Sequence, residues 1–169
     1  MKIVVTVREF GAFTFELMPR IAPAACERVV KIAGQGLYDG RRIERLEPGF
    51  VLQPVFFDGT DPVMDELIEL EAKTIPENGR IPFERGTVAM AGTQEKTCAS
   101  QYFVTLGPKE RLNGNFTVIG RITDGWDTIG KIESVKVAEG TIMDGEEAHH
   151  FHYPEKDIVI ESVRAVMER

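Results

Sequence analysis

A chain of 169 residues with 43% hydrophobic and 28% charged residues can bury one substantial core, a balance that excludes a disordered or fibrous protein. Its formal charge of -7, from 20 basic against 27 acidic residues, argues against general nucleic-acid binding, which needs clustered Lys and Arg, and makes basic or neutral partners the expectation. No apolar run approaches the ~20 residues of a membrane span, and the opening Met1-Lys2-Ile3-Val4-Val5 lacks the h-region and cleavage site of a signal peptide. Cys26 and Cys98 are far apart in sequence, so they imply neither a disulfide framework nor a four-ligand metal site. The expectation is a cytosolic protein with two reduced thiols, forming a single domain over 1–169 without repeats or linkers.

In chain order the pattern is mostly strand. Ile3 to Val7 is β-branched, and Ala12 to Leu17 alternates Phe13, Phe15 and Leu17 against Thr14 and Glu16, with Glu9-Phe10-Gly11 as the turn of a hairpin. From Ala22 the apolar residues Ala22, Ala25, Cys26, Val29, Val30 and Ala33 take helical spacing, with Pro23 in the first turn and Gly34 and Gly36 at the exit. Strands follow at Arg42 to Leu46, Val51 to Phe57, Thr87 to Ala91, Tyr102 to Leu106 and Val118 to Ile122. Trp126, Ile129 and Ile132 then predict a short second helix opening near Asp124-Gly125, and a last strand runs over about Asp157 to Val166. Many short strands separated by Gly and Pro fit a sandwich or a closed barrel, and periodicity does not choose between them.

The run Arg42-Ile43-Glu44-Arg45-Leu46-Glu47-Pro48-Gly49-Phe50-Val51-Leu52-Gln53 sets a permanent cation beside an aromatic ring and an uncharged amide. A guanidinium offers five donors in a rigid fork, so it can stabilise a polar transition state without moving a proton. Alone, Arg45 reads as a solvated surface charge, and Phe50, Phe103 and Leu112 read as core. Two further blocks change that reading: Met90-Ala91 followed by Ala99-Ser100-Gln101-Tyr102-Phe103-Val104, and Leu112-Asn113-Gly114-Asn115-Phe116-Thr117-Val118-Ile119-Gly120.

In order and spacing, these three blocks resemble the cyclophilin family of peptidyl-prolyl cis-trans isomerases over nearly the whole chain. The resemblance implies a mainly β fold, a closed eight-stranded antiparallel β-barrel capped by two α-helices, with an active groove on its outer face. It implies Arg45 as the catalytic donor to the prolyl amide and Gln53 as the partner that bonds the substrate carbonyl and helps hold the arginine. Phe50, Phe103 and Leu112 match the pocket for the proline ring, with Val51 where many members have Met. Ala91 and Gly92 match the stretch whose backbone pairs with the substrate, and Gln101 lies on the same rim, where it could instead satisfy a backbone group. Departures sit beside these matches. Glu44 stands where a His is common, placed to pair with Arg42 or to blunt the charge of Arg45. Phe116 replaces another frequent His and makes the pocket rim more apolar, and Arg111 replaces the Trp that meets cyclosporin in many members; both positions are expected to bind substrate. Gly92 replaces a frequent Asn, and Pro54-Val55 replaces a glycine pair.

Other strings carry less. Gly92 to Thr97 ends like a phosphate loop, but Glu95 stands in place of the required second Gly. His149, His150 and His152 beside Glu146 and Glu147 could catch Zn or Ni, and read best as a solvated loop. Asn115-Phe116-Thr117 fits a glycosylation sequon without a secretory context. Asp58, Asp61, Asp65, Glu66, Glu69 and Glu71 read as a solvated acidic face, which would favour basic peptides if it borders the groove. The expectation is a cofactor-free monomeric isomerase acting on proline-containing peptides and unfolded or flexible protein segments, with neither nucleic acid nor membrane as partner. A proline-peptide binding module that has lost turnover is the alternative, and a barrel enclosing a small molecule is a more distant one.

Overall fold

Alternation of apolar side chains decides the first two strands. Lys2–Val7 (β1) turns Ile3, Val5 and Val7 inward and Gly11–Leu17 (β2) does the same with Phe13, Phe15 and Leu17, so that Ile3 pairs with Phe15 and Val5 with Phe13. The structure, a computed structural model, describes residues 1–54 and 62–167. Val55, Phe56 and Phe57 of the strand expected from Val51, and Asp58 and Asp61 of the acidic segment, lie outside the described residues.

Pro23–Gly34 (α1) has the expected helical face, with Ala25, Cys26, Val29, Ile32 and Ala33 buried. Ile43–Glu47 (β3), Val51–Pro54 (β4), Leu67–Glu69 (β5), Glu71–Thr74 (α2), Pro76–Gly79 (α3), Thr87–Gly92 (β6), Lys96–Thr105 (β7) and Val118–Asp124 (β8) follow. Trp126–Glu133 (α4), Val137–Asp144 (β9), Glu147–Pro154 (β10) and Ile160–Val166 (β11) complete the described chain. None of these helices is long and apolar enough to cross a membrane.

Eight antiparallel strands curl in the order β11-β1-β2-β8-β6-β7-β4-β3, with β5 added beside β7. The two ends of the sheet meet at an isolated bridge between Arg42 and Val159, where Ile43 N–H donates to the Ile158 carbonyl at 2.9 Å and Ile160 N–H to the Arg41 carbonyl at 2.7 Å. The mainly β, eight-stranded antiparallel architecture matches expectation, with closure resting on this isolated bridge and not on a full strand pairing. The two expected helices are α1 and α4, and the single-turn helices α2 and α3 are additions between β5 and β6.

The described segment 137–154 corrects the sequence reading. The histidines expected on a loop lie on β10, which pairs with β9 through a two-residue turn that has Gly145 at φ +63. Among the described residues, no three His, Cys, Asp or Glu side chains gather as a metal would require. The Asp144-Gly145 step is a hairpin signal, but the polar residues of β10 hide its alternation because most of that strand faces solvent.

The acidic segment is corrected as well. Helix α1 has no side-chain cap at Ala22. Glu71, expected on a solvated face, is 2% exposed, and its carboxylate accepts from Ala24 N–H at 2.9 Å and Ala25 N–H at 3.1 Å. These are the donors an N-cap satisfies, and a negative charge there also meets the positive end of the helix dipole. Glu66 likewise pairs with Arg28 of the same helix. Replacing Glu71 with Ala should therefore lower the unfolding free energy by about 2 kcal/mol at constant m value in urea. A loss below about 0.5 kcal/mol would mean that water replaces the cap.

Candidate active site

A register jump on β3 creates the site. Ile43 faces Pro54 on β4, yet Arg45 already faces Gln53, so β3 carries one extra residue at Glu44, a β-bulge. Strict alternation from the buried Ile43 would send Arg45 into the barrel. With the bulge, Leu46 fills the core while Arg45 and Glu47 stand half-buried on the outer face. Glu44 lines a different depression with Arg42, Phe151 and Tyr153, and Arg42 pairs with Asp157 at 3.0 Å. The carboxylate that reaches Arg45 is Glu47, whose Oε1 accepts from Arg45 Nε at 3.1 Å.

The chain then reverses through Glu47-Pro48-Gly49-Phe50. Phe50 N–H donates to the Glu47 carbonyl at 2.9 Å, and Gly49 holds φ +72, the left-handed position that a turn with Pro then Gly at its centre requires. The turn delivers Phe50 to the mouth of a cavity of about 530 Å³. Strand β4 contributes Val51 and Gln53 to it, β6 contributes Ala91 and Gly92, and β7 contributes Gln101 and Phe103. Leu112, from the 3-10 turn Glu110–Leu112, and Phe116 complete the expected set. The neighbours Leu52, Val88, Met90, Tyr102 and Val104 face the barrel interior. These strands are therefore apolar on both faces, and the outer face has its own cluster of Val51, Phe83, Ala89, Phe103, Leu112 and Val118. Phe103 stacks on Phe83 at 6.1 Å and meets Phe116 edge-on at 5.4 Å, which fixes the floor.

Arg111 does not line this cavity. Its guanidinium lies over the Phe50 ring, 4.8 Å from the centroid, and Lys109 and Arg45 approach the same ring at 5.6 Å each. Leu67, Thr93 and Cys98 do line it, and the sequence did not point to them. Leu67 is 52% exposed and arrives only because β5 pairs with β7, opposite Cys98. A Cβ on Gly92 would stand 2.3 Å from the Lys96 carbonyl oxygen, so the tight approach of β6 and β7 requires glycine at this rim.

The polar wall has two parts. Gln53 and Gln101 are 7% and 5% exposed, and among the described residues no side-chain hydrogen bond occupies either amide. Both keep donors and an acceptor for a ligand. Arg45 is tied back instead. Glu47 also accepts from the His152 backbone N–H at 3.0 Å and from His152 Nδ1 at 2.7 Å, so a residue of β10 completes the anchor. An ionised carboxylate only accepts, which places the His152 proton on Nδ1. Arg45 lines the apolar cavity with both amides, and among the described residues only its Nε is hydrogen-bonded to a side chain. Such an arrangement can hold a small apolar ring and stabilise charge that develops on an adjoining polar group.

The sequence matches the family described as cyclophilin type peptidyl-prolyl cis-trans isomerase over residues 2–165. It is similar to a probable peptidyl-prolyl cis-trans isomerase of Brucella suis, 34% identical over 137 residues, covering 76% of this chain and 70% of that protein. It is also similar to peptidyl-prolyl cis-trans isomerase 4 of Caenorhabditis elegans, 31% identical over 144 residues, covering 80% of this chain and 26% of that protein. The fold is similar to that of a Cryptosporidium parvum cyclophilin type isomerase solved in the presence of the dipeptide Ala-Pro, with a TM-score of 0.80, 22% identity, and coverage of 99% of this chain and 100% of that one.

The shared carboxylate sets a pH response. Burial raises the affinity of Glu47 for a proton, but the bonds from His152 and Arg45 outweigh it and hold the carboxyl below its ordinary value of 4.5. A lowered folded value means that the ties contribute above the unfolded value and are lost as pH falls through the folded one. In a carbon-detected NMR titration, the Glu47 carboxyl should have its midpoint below 4.5. Release of the Arg45 Nε–H signal should accompany it, and a midpoint at or above the ordinary value would refute the shared anchor.

Proposed function

The chain belongs to the cyclophilin-type peptidyl-prolyl cis-trans isomerase family, and on that footing we propose that it catalyses rotation about X-Pro peptide bonds with Arg45 as the donor. The barrier to be lowered is ~18–20 kcal/mol, because rotation breaks amide resonance. At the twisted midpoint the prolyl nitrogen becomes pyramidal and its lone pair localises. A donor aimed there binds the midpoint better than either planar state, which is the condition for catalysis. In the proposed complex Phe103, Leu112, Phe50 and Val51 receive the proline ring, which has no donor of its own. Phe116 closes the rim. Gln53 bonds the carbonyl that precedes proline, while Ala91, Gly92 and Gln101 engage the peptide main chain.

The observation that carries this reading is the outward turn of Arg45 beside Gln53 over an apolar floor. A single copy of the chain is proposed as the working form. The unpaired Cys26 and Cys98 support a cytoplasmic setting. The proposed clients are proline-containing peptides and unfolded or flexible segments of other proteins.

The ion pair between Arg45 and Glu47 favours a second reading, a groove that binds proline peptides and turns them over slowly, because the carboxylate offsets part of the charge. Exchange NMR on a short Ala-Pro peptide separates the two. Under the first reading Arg45→Ala lowers kcat/KM roughly 100-fold while the peptide still binds, and Arg45→Lys does not rescue it, because an ammonium lacks the planar fork. Wild-type protein that binds the peptide but exchanges it no faster than buffer would establish the second reading.

A further inference from the structure

We propose that the depression beside the groove is a subsite for an anionic side chain on the proline peptide itself, a carboxylate or a phosphate, an inference that rests on the isomerase reading above. The depression measures about 540 Å³ and shares Gly92, Thr93 and Phe116 with the proline cavity, so a peptide in the groove passes its mouth. The remaining lining is Lys73, Arg111, Asn115 and Gln94: two cations, two amides and no carboxylate.

Several arginines elsewhere on this surface are matched. Arg28, Arg42, Arg85, Arg121 and Arg164 each hold a carboxylate. Among the described residues Arg111 has no ion-pair partner, and Lys73 Nζ meets only the neutral Asn115 Oδ1 at 3.3 Å. Asn115 in turn donates its Nδ2–H to the Arg111 carbonyl at 3.1 Å, which holds the loop that presents Arg111. Lys109 adds a further charge against Phe50. The acids of these loops, Glu95 and Glu110, are exposed and outside the lining. In a chain of net charge -7, a local excess of positive charge beside a ligand groove attracts the opposite sign at short range. Glu66 and Glu71 of the acidic segment are engaged at α1 and do not line this depression.

The test is a set of short proline peptides carrying Ala, Glu, phosphoserine or Lys before the proline, with a matching set after it, each followed by exchange NMR. At about 50 mM salt the anionic peptides of one set should exceed the Lys peptide about tenfold in kcat/KM, equivalent to ~1.4 kcal/mol. The ratio should shrink towards unity at roughly 0.5 M salt, where charges are screened over a few ångströms. In the Lys73→Gln, Arg111→Gln double variant the ratio, taken within that variant, should fall below about twofold. A phosphoserine peptide that outpaces Glu identifies phosphate as the preferred anion, and parity identifies a carboxylate. Equal rates for Lys, Ala and anionic peptides in both sets, or a preference that survives the double substitution, would overturn the proposal. If the Ala peptide is not turned over at all, the isomerase reading fails separately, and the subsite is judged by the same ratios in peptide Kd.

Discussion

One extra residue on β3 determines what this barrel can do with its surface. The bulge at Glu44 reverses the sense of alternation, so Ile43 and Leu46 both point inward while Arg45 and Glu47 face outward. An arginine inside a barrel of Phe, Ile and Val would have to be paired there at a large desolvation cost. On the outside it keeps its charge and lies against Phe50, whose position is set by the turn that follows. Cation, ring and amide therefore come from one short stretch of chain.

The rest of the fold supports that stretch in two ways. The outer faces of β4, β6 and β7 carry a second apolar cluster that floors the groove independently of the barrel interior. The hairpin of β9 and β10 packs on β3 and brings His152 to Glu47, so the carboxylate that holds the guanidinium is itself held from two directions. An exposed ion pair contributes little, because mobile side chains pay entropy to meet. Here Glu47 is mostly buried and accepts from one backbone and two side-chain donors, so little freedom remains to be lost.

Much of this was legible in the sequence because its causes are local. Arg45, Phe50 and Gln53 belong to one strand, turn and strand, and Phe103 and Leu112 fall in blocks whose order is distinctive. The hairpin of β1 and β2 and the face of α1 follow from periodicity alone. What was not legible depends on pairing at a distance. Leu67 reaches the groove through β5, and Glu71 leaves the solvent because α1 lacks a cap. Glu44 and Glu47 exchanged importance because a bulge leaves no mark in an alternating pattern. Cys26, expected only to be a reduced thiol, is buried, which pushes it up to about 12, beyond the range of a reactive thiolate.

The remote cap on α1 has a consequence for the order of events during synthesis. The helix ends at Gly34, but the carboxylate that satisfies its first turn lies 47 residues beyond Ala24. A nascent chain that has released only the first hairpin and this segment holds a helix of 12 residues with unsatisfied leading amides, close to the length at which isolated helices are marginal in water. Its consolidation waits for the middle of the chain to leave the ribosome. The amino-terminal fifth, hairpin and helix together, thereby depends for its capped form on a residue made well after it.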